Sequence, residues 1–290
     1  MNTKVSILLL SAALLLMSCG SPKPQQGMTA GHAVIGASDA IFDLAWQISR
    51  DFQIGNPGAF VDIVRAPNTQ LVDSLLNSRS EEIFLDRKLT PAETLAFKSA
   101  NLKLYTYDIA LYPVYLLVQK ANDVAVMDSA SFRSVLLGTI TNWKQLGGSD
   151  GQLTLYLPPP GEGAWTTVMS YYGHLDSVSA VICSTAARMA ERAAQDPGAL
   201  LVYSKPYEDL PFKRLTFHRM DTDIPATPKT IAENPMYPFR LDITYVTTRN
   251  KADVAAGYLT FAVSNSGQRG IMNSGYRPAA VPVRVVQLKG

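Results

Sequence analysis

The segment from Phe132 to Gly163 constrains the fold more than any other part of this 290-residue chain. It opens with apolar residues at helical spacing, stops at Gly138, and continues into a Trp-bearing turn that ends in a double glycine. An apolar run over residues 152–157 then leads into a Pro- and Gly-rich loop. Because glycine ends helices and proline interrupts them, this order predicts a short helix, a turn, a strand and a loop before another helix.

Residues 1–19 are predicted to be a processing signal rather than part of the fold. Lys4 precedes thirteen almost wholly apolar residues, too few to span a bilayer as a helix. A small residue just before Cys19 and an aliphatic residue three before it are typical of a bacterial lipoprotein signal. We therefore expect cleavage before Cys19 and lipidation of that residue, although an ordinary secretory signal with an incidental cysteine is the alternative. Residues 20–32 are then a tether that holds the protein to a membrane of the bacterial envelope, facing the periplasm.

Charge and residue spacing exclude several classes of function. A formal net charge of +2 provides no basic surface for nucleic acid. No group of His or carboxylate residues has the spacing of a metal site, and no Lys follows the Gly161 loop as a phosphate-binding P-loop requires. We therefore expect no metal, no cofactor and no enzymatic activity.

Strand and helix signals alternate over the first hundred residues of the predicted mature chain. Short apolar runs at 33–36, 60–64 and 82–85 are typical of buried strands, and each is followed by a segment with helical spacing. Such alternation predicts an open, parallel α/β sheet, which binds ligands at the carboxyl ends of its strands.

The segment around Trp143 also resembles the phosphate-binding proteins of bacterial ABC importers. In that family a helix ends in "G-x-I-T-N-W-x-x-L-G-G", and the same letters recur here over residues 138–148. The Tyr237-Pro238 pair and the closing Gly275-Tyr276 also resemble the family. The resemblance implies a two-lobed periplasmic binding protein fold of type II, whose hinge is two crossing strands at 109–118 and 237–246. Residues 33–108 and 244–286 would form lobe 1, and residues 109–243 the hinge strands and lobe 2.

The family holds its anion with three loops that offer backbone N–H groups at helix starts, hydroxyls, an Arg and a carboxylate. The residues that this resemblance places around the ligand are Ser38, Asp39, Asn68, Thr69, Asp86, Arg87, Gly161, Glu162 and Gly163. Two of these assignments have a structural alternative. Ser38 has the residue type of a plain helix N-cap, and Asp86 with Arg87 has the composition of a surface ion pair. In the binding interpretation Arg87 forms a bidentate fork to an oxyanion and Asp86 accepts the proton of hydrogen phosphate.

The third loop departs from the family. Gly161-Glu162-Gly163-Ala164 stands where the family has Gly-Ser-Gly-Thr, and Pro158 stands where it has an Arg. A carboxylate about 4 Å from a doubly charged anion costs several kcal/mol at an effective dielectric constant of about 20. We therefore expect either that Glu162 points away from the pocket or that the ligand is not phosphate.

The resemblance implies a solute-binding lipoprotein that captures a small polar or anionic ligand in the cleft between its lobes and presents it to an ABC permease. The alternative is a binding-fold lipoprotein with a degenerate pocket, which acts as an envelope accessory or scaffold without phosphate transport.

Overall fold

Two main β-sheets form the frame of the molecule, and the chain passes from the first to the second and back again. The computed structural model describes residues 27–173, 175, 177–234 and 236–279, so the predicted signal segment, Cys19 and residues 280–290 lie outside it. In the described residues the strands are β1 (Ala30–Ala37), β2 (Gly58–Arg65), β3 (Glu82–Leu85), β4 (Tyr105–Pro113), β5 (Tyr115–Gln119), β6 (Val126–Asp128), β7 (Thr154–Leu157), β8 (Val181–Ile182), β9 (Ala199–Tyr203), β10 (Phe212–Arg214), β11 (Thr216–Arg219), β12 (Thr222–Ile224), β13 (Arg240–Thr247) and β14 (Arg277–Pro278).

Helices connect these strands. The α-helices of the described residues are α1 (Phe42–Gly55), α2 (Asn68–Leu76), α3 (Pro91–Ser99), α4 (Ser129–Leu136), α5 (Gly163–Tyr172), α6 (Ala186–Ala194), α7 (Pro228–Glu233), α8 (Val254–Val263) and α9 (Asn265–Asn273). Two short 3-10 helices, Asp39–Ile41 and Trp143–Leu146, complete the set. In this part of the chain no helix has the length and apolar character needed to cross a membrane.

The first sheet has the strand order β14-β4-β13-β3-β1-β2. Strand β1 runs parallel to β2 and β3, as the sequence predicted, whereas β13 runs antiparallel to both β3 and β4. The prediction of a parallel sheet is therefore confirmed for β1, β2 and β3, the strands on which it was based, and the sheet as a whole is mixed. The chain leaves the sheet along β4 and returns along β13, so these two strands must run in opposite directions.

The second sheet has the order β10-β5-β9-β7-β8, and a small third sheet joins β12, β11 and β6. We call residues 27–113 and 240–279 the first lobe and residues 115–238 the second lobe. Val114 and Phe239 lie at the two crossings, where the Val114 N–H donates to the Phe239 carbonyl at 2.9 Å. The extended run that the sequence predicted over 109–118 is thus divided between two sheets at Val114.

Strand β1 begins earlier than predicted. Ala30, Gly31 and His32 were assigned to the tether, but they pair in parallel with residues 58–60 of β2. The Gly31–Ala59 pairing continues the register of the apolar part of the strand. A run of small and polar residues before Ala33 hides this extension in the sequence.

Buried side chains from both main sheets pack into one continuous apolar cluster. Helix α2 lies very close to β1, because a Cβ added at Gly36 would lie 2.4 Å from a methyl carbon of Leu71. This close packing brings the start of α2 beside the carboxyl end of β1. The fold is the α/β, two-lobed type II architecture, and that prediction is confirmed.

Candidate functional site

The predicted site residues gather at the carboxyl ends of four strands. Ser38 follows β1, Asn68 follows β2, Asp86 follows β3, and Glu162 follows β7 across the cleft. A cavity of about 510 Å³ lies between the two lobes and is lined by both. This is where open α/β sheets place ligands. A larger cavity, of about 720 Å³, lies on the second lobe alone and holds none of the predicted site residues.

The Glu162 side chain points into the cleft, where it binds the first turn of a helix from the other lobe. Its Oε1 accepts the backbone N–H of Asn68, the first residue of α2, at 3.0 Å, and its Oε2 lies 3.3 Å from Asn68 Nδ2. Glu162 is 8% exposed. A helix N-terminus favours negative charge, because its first N–H groups lack partners within the helix. The carboxyl group therefore occupies a position suited to an anion, and of the two alternatives stated for Glu162 the structure does not show the one in which the side chain points away from the pocket.

Asp86 makes the reciprocal contact. Its Oδ2 accepts the N–H of Gly163, the first residue of α5 on the second lobe, at 3.1 Å, and its Oδ1 accepts Asn68 Nδ2. Asp86 is almost completely buried. Burial raises the pKa of Asp86, although these two donors and the neighbouring Arg87 act in the opposite direction.

The two carboxyl groups influence each other's titration. Burial raises the pKa of Glu162 to about 8, and the nearby Asp86 carboxylate contributes to the rise. Two like charges in a poorly solvated cleft disfavour simultaneous ionisation. At neutral pH a proton is therefore retained by this pair.

The guanidinium of Arg87 does not point into the cleft as the bidentate anion ligand that the family resemblance implies. Its Nη1 and Nη2 atoms donate to Glu93 Oε2 and Oε1 at 2.8 and 2.7 Å, and its Nε donates to the Gly161 carbonyl at 2.7 Å. Thr90 and Glu93 form a capping box at the start of α3, which holds the Glu93 carboxylate beside Arg87. Burial alone would raise the pKa of Glu93, but hydrogen bonds from Arg87 and Thr90 lower it. The guanidinium thus fastens the third loop to the first lobe.

The first loop supplies a further contact across the cleft. Asp39 Oδ2 accepts the N–H of Ala186, the first residue of α6 on the second lobe, at 3.0 Å, and Asp39 Oδ1 accepts Arg65 Nη1 at 2.9 Å. Ser38 is fully buried, yet its Oγ has no hydrogen-bond partner and does not cap the helix that follows. Sequence reasoning missed Arg65, which lines the cavity, because no motif singles out the last residue of β2.

Gly161 and Gly163 allow the lobes to come together. Gly161 has a φ of +92°, and a Cβ there would lie 2.6 Å from a Thr69 methyl carbon. A Cβ at Gly163 would lie 2.4 Å from the Asp86 carbonyl oxygen. Thr69 itself is exposed and lines the cavity. Both glycines are therefore needed for the closed arrangement of this loop.

Three helix N-termini at the cleft each receive a carboxylate from the opposite lobe. Glu162 binds the start of α2, Asp86 binds the start of α5, and Asp39 binds the start of α6. Lys205 of the second lobe adds an ion pair to Asp43 of the first at 2.9 Å. The lobes are thus joined across the cleft by the chain's own charged groups. Among the residues that the structure describes, no group of three or more His, Cys, Asp or Glu side chains is arranged to hold a metal ion.

Comparison with known proteins identifies the architecture. A family model described as a PBP superfamily domain matches residues 22–266. The fold is similar to that of a Clostridium perfringens protein solved with bound phosphate and described as a phosphate ABC transporter substrate-binding protein, with a TM-score of 0.76, 18% identity, and coverage of 86% of this chain and 100% of that one.

Two further solved structures agree. An ABC-type phosphate transport receptor from Vibrio cholerae has a TM-score of 0.67 and 20% identity, over 84% of this chain and 99% of that one. A phosphate binding protein from Stenotrophomonas maltophilia has a TM-score of 0.64 and 13% identity, over 87% of this chain and 91% of that one. At these identities the similarity establishes the fold.

Proposed function

The chain belongs to the PBP superfamily, and from that premise we propose that it is a solute-binding protein that captures a small ligand between its lobes but does not take inorganic phosphate. The solved proteins of similar fold are described as substrate-binding proteins and receptors of phosphate ABC transporters. Their descriptions support presentation of a ligand to a membrane permease, without covalent chemistry on it.

One observation carries the exclusion of phosphate, namely the hydrogen bond from the Asn68 N–H to Glu162 Oε1 at 3.0 Å. The start of α2 is an anion site by its geometry, and it already holds a carboxylate from the same molecule. Phosphate would have to displace Glu162, or lie beside Glu162 and Asp86. Each unit charge about 4 Å from another of the same sign costs about 4 kcal/mol at an effective dielectric constant of about 20. Because the pair retains a proton at neutral pH, one full charge remains, and its repulsion takes about half or more of the roughly 8 kcal/mol that micromolar binding needs in total.

The test is a calorimetric titration of phosphate into the wild type and into a Glu162→Ser, Ala164→Thr double variant at one salt concentration. The wild type is expected to bind weakly or not at all. The double variant removes the internal carboxylate and restores two hydroxyls, so its affinity is expected to rise by at least 100-fold. Submicromolar binding of phosphate by the wild type would contradict the proposal. An Asp123→Asn variant, which changes an exposed carboxylate of the second lobe, is the control for altered net charge.

We also propose that the protein is anchored to the envelope membrane through lipid on Cys19. The support is the sequence around Cys19 alone, because this segment lies outside the described residues. Labelling with a palmitate analogue is expected to tag the wild type and not a Cys19→Ala variant, and equal labelling of both would exclude the anchor.

A second function is favoured by the contacts across the cleft. Asp39, Asp86, Glu162 and Lys205 join the lobes through contacts within the chain itself, which is the arrangement that a permanently closed scaffold of the envelope would need. Small-angle X-ray scattering separates the two functions. A solute-binding protein changes its radius of gyration when its cleft opens and closes, whereas a scaffold keeps one value with any ligand and after Glu162→Ser.

A further inference from the structure

Acidic side chains outnumber basic ones in the lining of the cleft cavity. Among the described residues that line it, the carboxyl groups of Asp39, Asp86 and Glu162 stand against one guanidinium, that of Arg65. That guanidinium already binds Asp39 Oδ1 at 2.9 Å and lies 3.7 Å from Asp43. Asp86 and Glu162 form no salt bridge with any described residue. The cavity therefore offers an anion like-charge repulsion without a free cation.

Buried carboxylates that form no salt bridge are costly, because the amide donors that reach them and the charge of nearby Arg87 only partly replace water. Further acceptor capacity lies at the same end of the cleft. Asn68 is fully buried, its Nδ2 points at Asp86 and Glu162, and its Oδ1 has no hydrogen-bond partner. The group that such surroundings lack is a cation with several N–H donors, and a protonated amine has three.

Much of the remaining cavity wall is apolar, although Thr69, Ser184, Thr185 and Ser204 add hydroxyls to it. Its lining includes Met189, Val202 and four prolines, namely Pro67 and Pro158–Pro160. A volume of about 510 Å³ lies within the range of small-molecule sites, about 300–1,000 Å³. Such walls favour an organic body over a bare ion, since apolar surface gains by leaving water.

We propose that the cleft binds a small organic molecule whose protonated amino group lies against Asp86 and Glu162 and whose apolar body packs along the prolines and Met189. This inference rests on the proposed solute-binding function and names the chemical class of its ligand. It puts a small organic cation in place of the small polar or anionic ligand that the sequence suggested.

The titration of Asp86 and Glu162 predicts how ligand affinity at this site changes with pH. The charged groups near Glu162 are Asp86 and Asp39, which act with burial to raise its pKa, and Arg87, which lowers it. Because Glu162 has a pKa of about 8, it gains its full negative charge only in mildly alkaline solution. Affinity for an amine is therefore expected to increase from pH 6.5 to pH 9, whereas affinity for a neutral molecule is not.

The experiment uses the mature protein and three probes of one size: phenethylamine, the neutral phenethyl alcohol, and 3-phenylpropanoate. Calorimetry at low salt is expected to give at least tenfold tighter binding of the amine than of the alcohol, and no binding of the carboxylate. Asp86→Asn and Glu162→Gln keep the shape of the site and are expected to remove the preference for the amine. Glu162→Gln is also expected to remove the pH dependence. The Asp123→Asn control is expected to bind all three probes as the wild type does.

Tighter binding of the carboxylate, or an amine preference that survives both substitutions, would overturn the ligand class. If none of the three probes binds, the Glu162→Ser, Ala164→Thr variant separates the two proposals. Phosphate binding by that variant would show a competent cleft and a wrong ligand class, whereas no binding of phosphate or probes by any variant would overturn the solute-binding function as well.

Discussion

Two neighbouring regions, the turn around Trp143 and the loop that follows β7, differ in how closely their sequences match the family that the chain resembles. The turn around Trp143 matches it residue by residue, whereas the loop from Pro158 to Ala164 keeps the glycines and changes the rest. In the structure Trp143 is 3% exposed, and its Nε1 donates to the Gly198 carbonyl at 3.0 Å. Glu162, in the loop, instead makes its contact across the cleft to Asn68.

The difference separates the requirements of the fold from those of the ligand. The polar contacts of the Trp143 turn lie within the second lobe, where Trp143 donates to Gly198 and Asn142 caps the short helix that bears Trp143. The polar groups of the loop face the other lobe. The N–H donors at the helix starts there, which could bind a ligand, already donate to carboxyl groups of the chain. Under the proposed function the chain keeps the architecture of an anion-binding cleft without binding phosphate, because different residues determine the two properties.

The largest expected effect tests whether the turn is structural. Trp143→Ala removes a buried ring and the donor to the Gly198 carbonyl, so we expect the free energy of unfolding to fall by about 3–5 kcal/mol. Urea denaturation measures it. Trp46→Ala is the matched control, because Trp46 is 48% exposed, and it is expected to cost less than about 1 kcal/mol. Equal losses in the two variants would show that the turn does not stabilise the lobe.

The elements on which the fold depends could be predicted from sequence because their signals are local. The run at 82–85 became β3 with the predicted bounds, and the glycine and Trp pattern became the turn before β7. Strand β1 was predicted too short, since its first three residues are held by pairing with β2 and have no apolar pattern of their own.

The candidate site was harder to predict because its contacts join residues far apart in the chain. Glu162 lies 94 residues from Asn68, and only the approach of the two lobes decides which way its side chain turns. The partner of Arg87 did have a local signal. Thr90 and Glu93 have the spacing of a capping box, which places the Glu93 carboxylate at the helix start beside Arg87.

The next effect tests whether the loop needs its glycine for contact between the lobes. Gly163→Ala would place a Cβ 2.4 Å from the Asp86 carbonyl oxygen, and backbone cannot yield as a side chain does. We expect a loss of about 1–3 kcal/mol in the free energy of unfolding, together with a larger radius of gyration in small-angle scattering. Gly151→Ala is the control, because no atom lies within 4 Å of its added Cβ. An unchanged radius of gyration for Gly163→Ala would indicate that the lobes do not meet at this loop in solution.

A third effect uses the titration of the loop carboxyl. The pKa of Glu162 is raised to about 8 in the folded protein, above its ordinary value. The folded state therefore binds this proton more tightly than the unfolded state does. The stability that proton binding adds is complete at acidic pH and is lost as the pH rises through about 8. Relative to the wild type, Glu162→Gln is expected to gain about 1–2 kcal/mol in its free energy of unfolding between pH 5 and pH 9.

Urea denaturation at the two pH values measures this change. Asp123→Asn is expected to follow the wild type at both, because it removes an exposed carboxylate remote from the cleft. A Glu162→Gln variant whose difference from the wild type is the same at both pH values would mean that the carboxyl is solvated and turned out of the cleft.

The smallest effect returns to the turn and asks whether its polar groups act locally. Asn142 Oδ1 accepts the N–H of Lys144 at 2.8 Å and caps the short helix that bears Trp143. Asn142→Ala removes this acceptor, so we expect the free energy of unfolding to fall by about 1 kcal/mol, whereas Asn142→Ser keeps a capping oxygen and is expected to lose about half as much or less. Because the cap lies wholly within the second lobe, neither variant is expected to change the binding of an amine or of phosphate in the cleft. If the Ser variant is as unstable as the Ala variant, the capping hydrogen bond is not how Asn142 stabilises the lobe. Altered ligand binding in either variant would show that the turn and the loop are energetically coupled.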